Sequence, residues 1–223
     1  MPDSEYLDLY DYRRRVFAMY RERNQAILAG KDPVAAWQRF CRARDELFLR
    51  HPQSPLDEEQ RRSFQGLDYF PYNPDLRFVV DIDTNVEPTR LTVAMDVEGS
   101  MTMTAVGRVH FTVDGQQAAL SLYWLNIYGG GLFLPFRDAT SPQESYGGGR
   151  YLVDTIKGSD FVPVPGASSW RRIMIDFNYA YNPSCAYNIR WVCPLAPAGN
   201  RLSVPIRAGE QLRKLSLRIA AVA

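Results

Sequence analysis

The sequence predicts an α+β chain that is mainly β, an antiparallel β-sandwich or partly closed barrel preceded by an N-terminal helical hairpin. Three observations carry that prediction. Apolar residues recur by threes and fours up to about residue 50, and beyond Gly66 they alternate with polar ones. No helical stretch separates the alternating runs, which excludes the βαβ crossovers of an α/β fold. With 223 residues, the chain suits one structural unit. Residues 1–66 form a helical hairpin and a short helix packing on the body, and residues 67–223 form the mainly-β domain.

The first helix is expected over residues 4–29. Its apolar stripe is read as Tyr6, Tyr10, Phe17, Tyr20 and Ile27, with Arg13, Arg14 and Arg15 solvated beside it. Gly30 ends it. Asp32 then offers an N-cap oxygen and Pro33 a first helical residue with its φ already set, so a second helix begins at once. Its stripe is Ala36, Trp37, Phe40, Cys41, Leu47 and Phe48, and His51-Pro52 stops it. Asp57 restarts a short turn of helix to about Phe64.

The period then changes to two. Leu76, Phe78, Val80 and Ile82 predict one strand, and Leu91, Val93, Met95 and Val97 a second. Val109, Phe111 and Val113 continue the pattern, as do Leu120, Leu122 and Trp124. Asp114-Gly115 sits between these last two runs and fits a type I′ hairpin, whose central residues both need positive φ. Further strands are expected at residues 171–177 and 214–222.

Composition removes several classes of function. Hydrophobic residues make up 46% of the chain, too many for a disordered protein. The net charge of +1 with intermixed signs gives no basic face for nucleic acid. No apolar run approaches the roughly 20 residues of a membrane helix, and the acidic N-terminus resembles no secretory signal. Three cysteines, an odd number, suit a reducing compartment, so a cytoplasmic location without membrane contact is expected. Two histidines and a wide spacing between Cys185 and Cys193 fit neither a zinc site nor a cysteine–histidine nucleophile. No metal and no cofactor are expected; a redox-sensitive pairing of those two cysteines stays open.

A local repeat, YGGGLFL at residues 128–134 and YGGGRYL at 146–152, reads as two glycine-rich turns that each launch a strand. Neither triplet precedes Lys-Ser/Thr or opens a helix, which excludes phosphate and dinucleotide loops. The second triplet belongs to a series of unusual polar stretches. These are FRDAT at 136–140, DFNYAYNPSCAYN at 176–188, WVCPLAP at 191–197, NRL at 200–202 and RAGE at 207–210. Together with HPQSPL at 51–56 and FQGLDYFPY at 64–72, they resemble the prokaryotic family known as domain of unknown function 1684. The resemblance spans most of the chain and implies only that a site lies where these motifs converge.

The candidate residues come from the same stretches. Asp176 and Asn178 are two apart and share one face of a strand, while Ile173, Ile175 and Phe177 share the other, taken as core. Polar groups this dense must satisfy one another or meet a ligand, since each one buried alone costs about 1–3 kcal/mol. One reading is a buried network with Arg150 forked onto Asp176, Asn178 and Asn182 pinning loops. The other is a pocket for a small anionic molecule. There Arg150 and Arg201 clamp the anion, Tyr146 and Tyr181 wall it, and Asp176, Asn178 and Asn182 complete it. A hydrolase or lyase using Asp176 or Glu210 as acid/base, with Asp138 as a third carboxylate, is the alternative. A third reading is a non-catalytic interaction protein, a homodimer assembled through its N-terminal helices.

Overall fold

The computed structural model describes residues 3–95 and 99–212. Helix α1 runs Asp3–Leu28 and α2 runs Pro33–Arg50. The Asp32 carboxylate accepts from the Val34 and Ala35 amides at 3.0 and 3.4 Å, so the expected cap is in place. A capping box between Asp57 and Gln60 starts the short α3, Glu58–Arg62.

Among the described residues eight strands follow: β1 (Arg77–Asp81), β2 (Arg90–Met95), β3 (Gly99–Val113), β4 (Gln116–Leu125), β5 (Gly131–Phe136), β6 (Arg150–Asp154), β7 (Val162–Pro163) and β8 (Arg172–Asp176). They form two antiparallel sheets, ordered β1-β8-β7 and β2-β3-β4-β5-β6, and neither closes into a barrel. Asp114 and Gly115 turn β3 into β4 with φ of 48° and 77°, the geometry the hairpin demanded. The two glycine-rich turns deliver β5 and β6 as expected. The strand expected at residues 214–222 lies outside the described residues.

One apolar cluster joins the sheets. Val109, Phe111 and Val113 of β3 meet Leu120 and Leu122 of β4, Phe136 of β5, Ile173 and Ile175 of β8, and Phe177. The Phe136 and Phe177 rings meet edge to face with centroids 5.1 Å apart. The segment after Asn200 threads Leu202, Val204, Ile206 and Ala208 into the same core without strand structure. Its amides and carbonyls therefore need side-chain partners, which is where the polar motifs enter.

The helices cover the opposite face of β8. Val16, Tyr20, Phe40 and Leu47 pack on Tyr179, and the Trp37 indole donates to the Asn178 carbonyl at 3.1 Å. This corrects the expected stripe of α1. Tyr6, Tyr10 and Phe17 are exposed at 57%, 61% and 55%, whereas Val16, Tyr20, Arg23 and Ala26 are buried. The 3.6-residue period selects the smaller residues and one arginine over the more conspicuous aromatics. Arg23 is accommodated because it donates to the Asp160 carbonyl and lies over the Tyr20 and Tyr179 rings.

Candidate functional site

The first residue of β6 is Arg150, and it is 1% exposed. Its Nη2 donates to Asp138 Oδ1 at 3.1 Å and to the Ile206 carbonyl at 2.7 Å, and its Nη1 to the carbonyls of Ala208 and Glu210. Asp138 answers by accepting from the Ile206 amide at 2.6 Å and the Thr140 hydroxyl at 2.8 Å. This pair binds the 136–140 loop, β6 and the 206–210 segment into one unit. Burial lowers the Arg150 pKa, and Asp138 works against that. No cleft described below is lined by Arg150 or Asp138.

Arg150 thus pairs with Asp138, a correction to the expected fork onto Asp176. Asp176 instead faces Arg77 across the β1–β8 register, with Arg77 Nε 3.0 Å from its Oδ2. Its Oδ1 accepts from the Asn178 amide and side chain at 3.1 and 2.8 Å. Burial raises the Asp176 pKa, and Asn178 and Arg77 oppose the rise. Asn178 also exchanges two hydrogen bonds of 2.8 Å with the backbone of Asn73. Arg201 is exposed, and its backbone merely bridges to Arg137, so the structure does not bring it to the others.

Glu210 organises a second cluster. Its Oε1 accepts from Nε of Arg44 on α2, and its Oε2 accepts from the Tyr187 hydroxyl and from the Asn182 amide at 2.8 Å. Arg44 is held between the Phe48 and Tyr181 rings, 4.8 and 4.9 Å from their centroids. Burial works against the Arg44 charge, but Glu210 and the nearby tyrosines outweigh it, so its pKa stands above the usual arginine value. The Asn182 Nδ2 donates to the Gln211 carbonyl at 2.9 Å, which fixes the orientation of the amide. Among the described residues its buried Oδ1 has no hydrogen-bond partner.

Two clefts flank this cluster. An inner one of about 110 Å³ lies between the helices and the β body, with Tyr12, Val16, Tyr20, Arg44, Tyr181 and Asn182 among its walls. Arg13 and Lys157 add positive charge to its lining. An outer one of about 730 Å³ is lined by Leu91, Val93, Met103, Tyr146, Cys185 and Cys193, among others. Trp191, Val192 and Cys193 form a wall common to both.

Of the expected binding residues, Tyr181 and Asn182 line the inner cleft and Tyr146 the outer one. Arg150, Asp176, Asn178 and Arg201 line neither. The carboxylates Asp138, Asp176 and Glu210 are each at most 3% exposed and line neither cleft. Sequence reasoning missed Arg44 and Tyr187. The signal for Arg44 was a cation on the apolar stripe of α2, one turn from Phe40, Cys41, Leu47 and Phe48. Among the described residues no group of three or more His, Cys, Asp or Glu could hold a metal ion, and no helix is long and apolar enough to cross a membrane.

The profile of a family described as protein of unknown function DUF1684 matches residues 62–211. The solution NMR structure of an uncharacterized protein of Haloarcula marismortui is similar, with 31% identity, a TM-score of 0.56, and coverage of 79% of this chain and 92% of that one. No curated protein matches the chain.

Proposed function

The chain belongs to the DUF1684 family, which carries no assigned activity, and we propose from its geometry that it binds a small organic anion in the inner cleft. The observation that carries this reading is the Oδ1 of Asn182, a cleft-lining residue, which is a buried acceptor without a donor among the described residues. Leaving such a group unpaired costs about 1–3 kcal/mol, and a ligand hydroxyl or amine would recover it. Arg13 and Lys157 supply the complementary charge for a carboxylate or phosphate. Tyr12, Tyr20 and Tyr181 offer flat apolar walls for the ligand's carbon skeleton.

Size narrows the class. A cleft of about 110 Å³ holds only a few groups the size of a water molecule, so nucleotides and cofactors of their bulk do not fit. A hydroxy- or amino-carboxylate matches both the volume and the polar pattern. Binding rather than turnover is favoured because the nearest carboxylate, Glu210, already carries three donors on its two oxygens.

The test is a thermal-shift panel of lactate, malate, serine and inorganic phosphate against wild type and an Arg13→Ala/Lys157→Ala double variant. A ligand at a hundred times its Kd adds about 2.7 kcal/mol, which for a chain of this size raises Tm by roughly 5–10 °C. The proposal expects a rise with at least one carboxylate that the double variant loses. No rise, or one the variant keeps, contradicts it.

A further inference from the structure

The outer cleft contains chemistry the ligand reading does not use. Cys185 and Cys193 both line it and both are partly exposed, and each thiol is the strongest influence on the other's ionisation. The Tyr146 hydroxyl donates to Cys185 Sγ at 3.6 Å. The contact arises from chain geometry, because Pro183 starts a 3₁₀ turn over Ser184–Ala186 and the 191–197 strap passes back across it. The backbone amides of Ser184 and Cys185 favour the Cys193 anion. Cys41, by contrast, is buried on α2 and lines neither cleft.

We propose that Cys185 and Cys193 are a redox-active dithiol that closes to an intramolecular disulfide by exchange with a small-molecule disulfide entering the outer cleft. The Cys193 thiolate attacks one sulfur of the incoming disulfide. A bond from Cys193 to that sulfur forms, the incoming S–S bond breaks, and the other half leaves as a thiolate. Cys185 then loses its proton to solvent and attacks Cys193 Sγ, forming the Cys185–Cys193 bond, breaking the mixed disulfide and expelling the second half as a thiolate that takes up a proton from solvent. Two protein thiols are oxidised and one disulfide is reduced to two thiols, so atoms and both electrons balance.

The two cysteines divide these roles by environment. Cys193 is the attacking group, because the Cys185 thiol, Lys157 and the two backbone amides stabilise its anion and lower its pKa despite burial. Cys185 keeps its proton until the second step, since a neighbouring Cys193 thiolate and burial raise its pKa. Tyr146 is a positioning residue that holds the Cys185 sulfur toward its partner. Cys41 is a built-in control, its thiol pushed up to about 12 by burial and by nearby carboxylates.

The experiment equilibrates the whole protein with reduced and oxidised glutathione at graded ratios, then alkylates and maps the free thiols by mass spectrometry. The thiols of Cys185 and Cys193 should disappear together as the ratio turns oxidising and return with dithiothreitol, while Cys41 stays reduced. Cys185→Ser should stop at one glutathione bound to Cys193. Two alkylatable thiols at the most oxidising ratio, or a mixed disulfide that persists in wild type, overturn the proposal. Neither result depends on whether the inner cleft binds an anion.

Discussion

Replacing Arg150 by Met separates a buried cross-link from a ligand clamp. Methionine fills nearly the same space but donates nothing, so Asp138 loses its ionic partner and three buried carbonyls, of Ile206, Ala208 and Glu210, lose their donors. Breaking a buried ion pair from one side costs about 3–5 kcal/mol. Each orphaned carbonyl adds about 1–3 kcal/mol where no water can reach it. Even the lower bounds give a loss of about 6 kcal/mol, comparable with the whole stability of an ordinary domain, about 5–15 kcal/mol. At roughly 2–4 °C per kcal/mol, Tm should fall by at least about 10 °C, and urea denaturation should show the same loss. Arg150→Lys should fall between the two, because one ammonium can face Asp138 but cannot fork onto the carbonyls. An Arg150→Met protein melting within about 2 °C of wild type would refute the argument and return Arg150 to the candidates for ligand contact.

Other substitutions test neighbouring parts of the account. Gly209 has φ of +76°, and a Cβ there would stand 2.5 Å from the Ala180 carbonyl oxygen and 2.7 Å from that of Phe177. Gly209→Ala should therefore cost well over the roughly 1 kcal/mol of left-handed backbone alone. Gly166→Ala, at φ +72° with nothing within 4 Å, should show only that smaller loss in the same urea titration. Asp176 gives a pH dependence. Its raised pKa means that the native state keeps the proton to higher pH than the unfolded chain. The stability it contributes is present below about pH 4 and is lost as pH rises through the folded pKa. The stability of Asp176→Asn relative to wild type should accordingly rise from about pH 4 to pH 7, and a flat or falling difference would contradict the burial argument.

The fold was legible wherever one local rule decided it. Asp32-Pro33 fixed a helix start, Asp114-Gly115 fixed a hairpin, and alternation along residues 109–113 and at Leu120 and Leu122 fixed which face is buried, whereas past Leu122 it reverses, with Trp124 exposed and Tyr123 and Leu125 buried. Ile173, Ile175 and Phe177 fill the core as their spacing implied, and Asp176 lies buried opposite them against Arg77 and Asn178. Local rules failed where a charge was buried. Arg23 and Arg44 lie on the inner stripes of their helices, but their partners Asp160 and Glu210 are distant in sequence, so an arginine there reads as solvated. The same limit exchanged the partners of Arg150 and Asp176. Strand pairing puts Arg77 opposite Asp176, and only the path of the 206–210 segment gives Arg150 its acceptors. Only part of the motif series reaches the inner cleft, where Tyr181, Asn182 and residues 191–193 form a wall, while Arg150, Asp176, Asn178 and Arg201 do not line it. The opposite wall of that cleft comes from the helices, through Tyr12, Val16, Tyr20 and Arg44, and no spacing within the β domain could have indicated that.

The central claim is that the Asn182 side chain is an acceptor awaiting a ligand in the inner cleft. The most direct measurement is a ¹⁵N NMR titration of the full chain with serine and lactate, following the Asn182 side-chain amide and the Trp191 indole. Saturable shifts at both resonances, with the Trp170 indole on the exposed surface unmoved, are the predicted result. Shifts confined to other residues, or none at millimolar carboxylate, would contradict it.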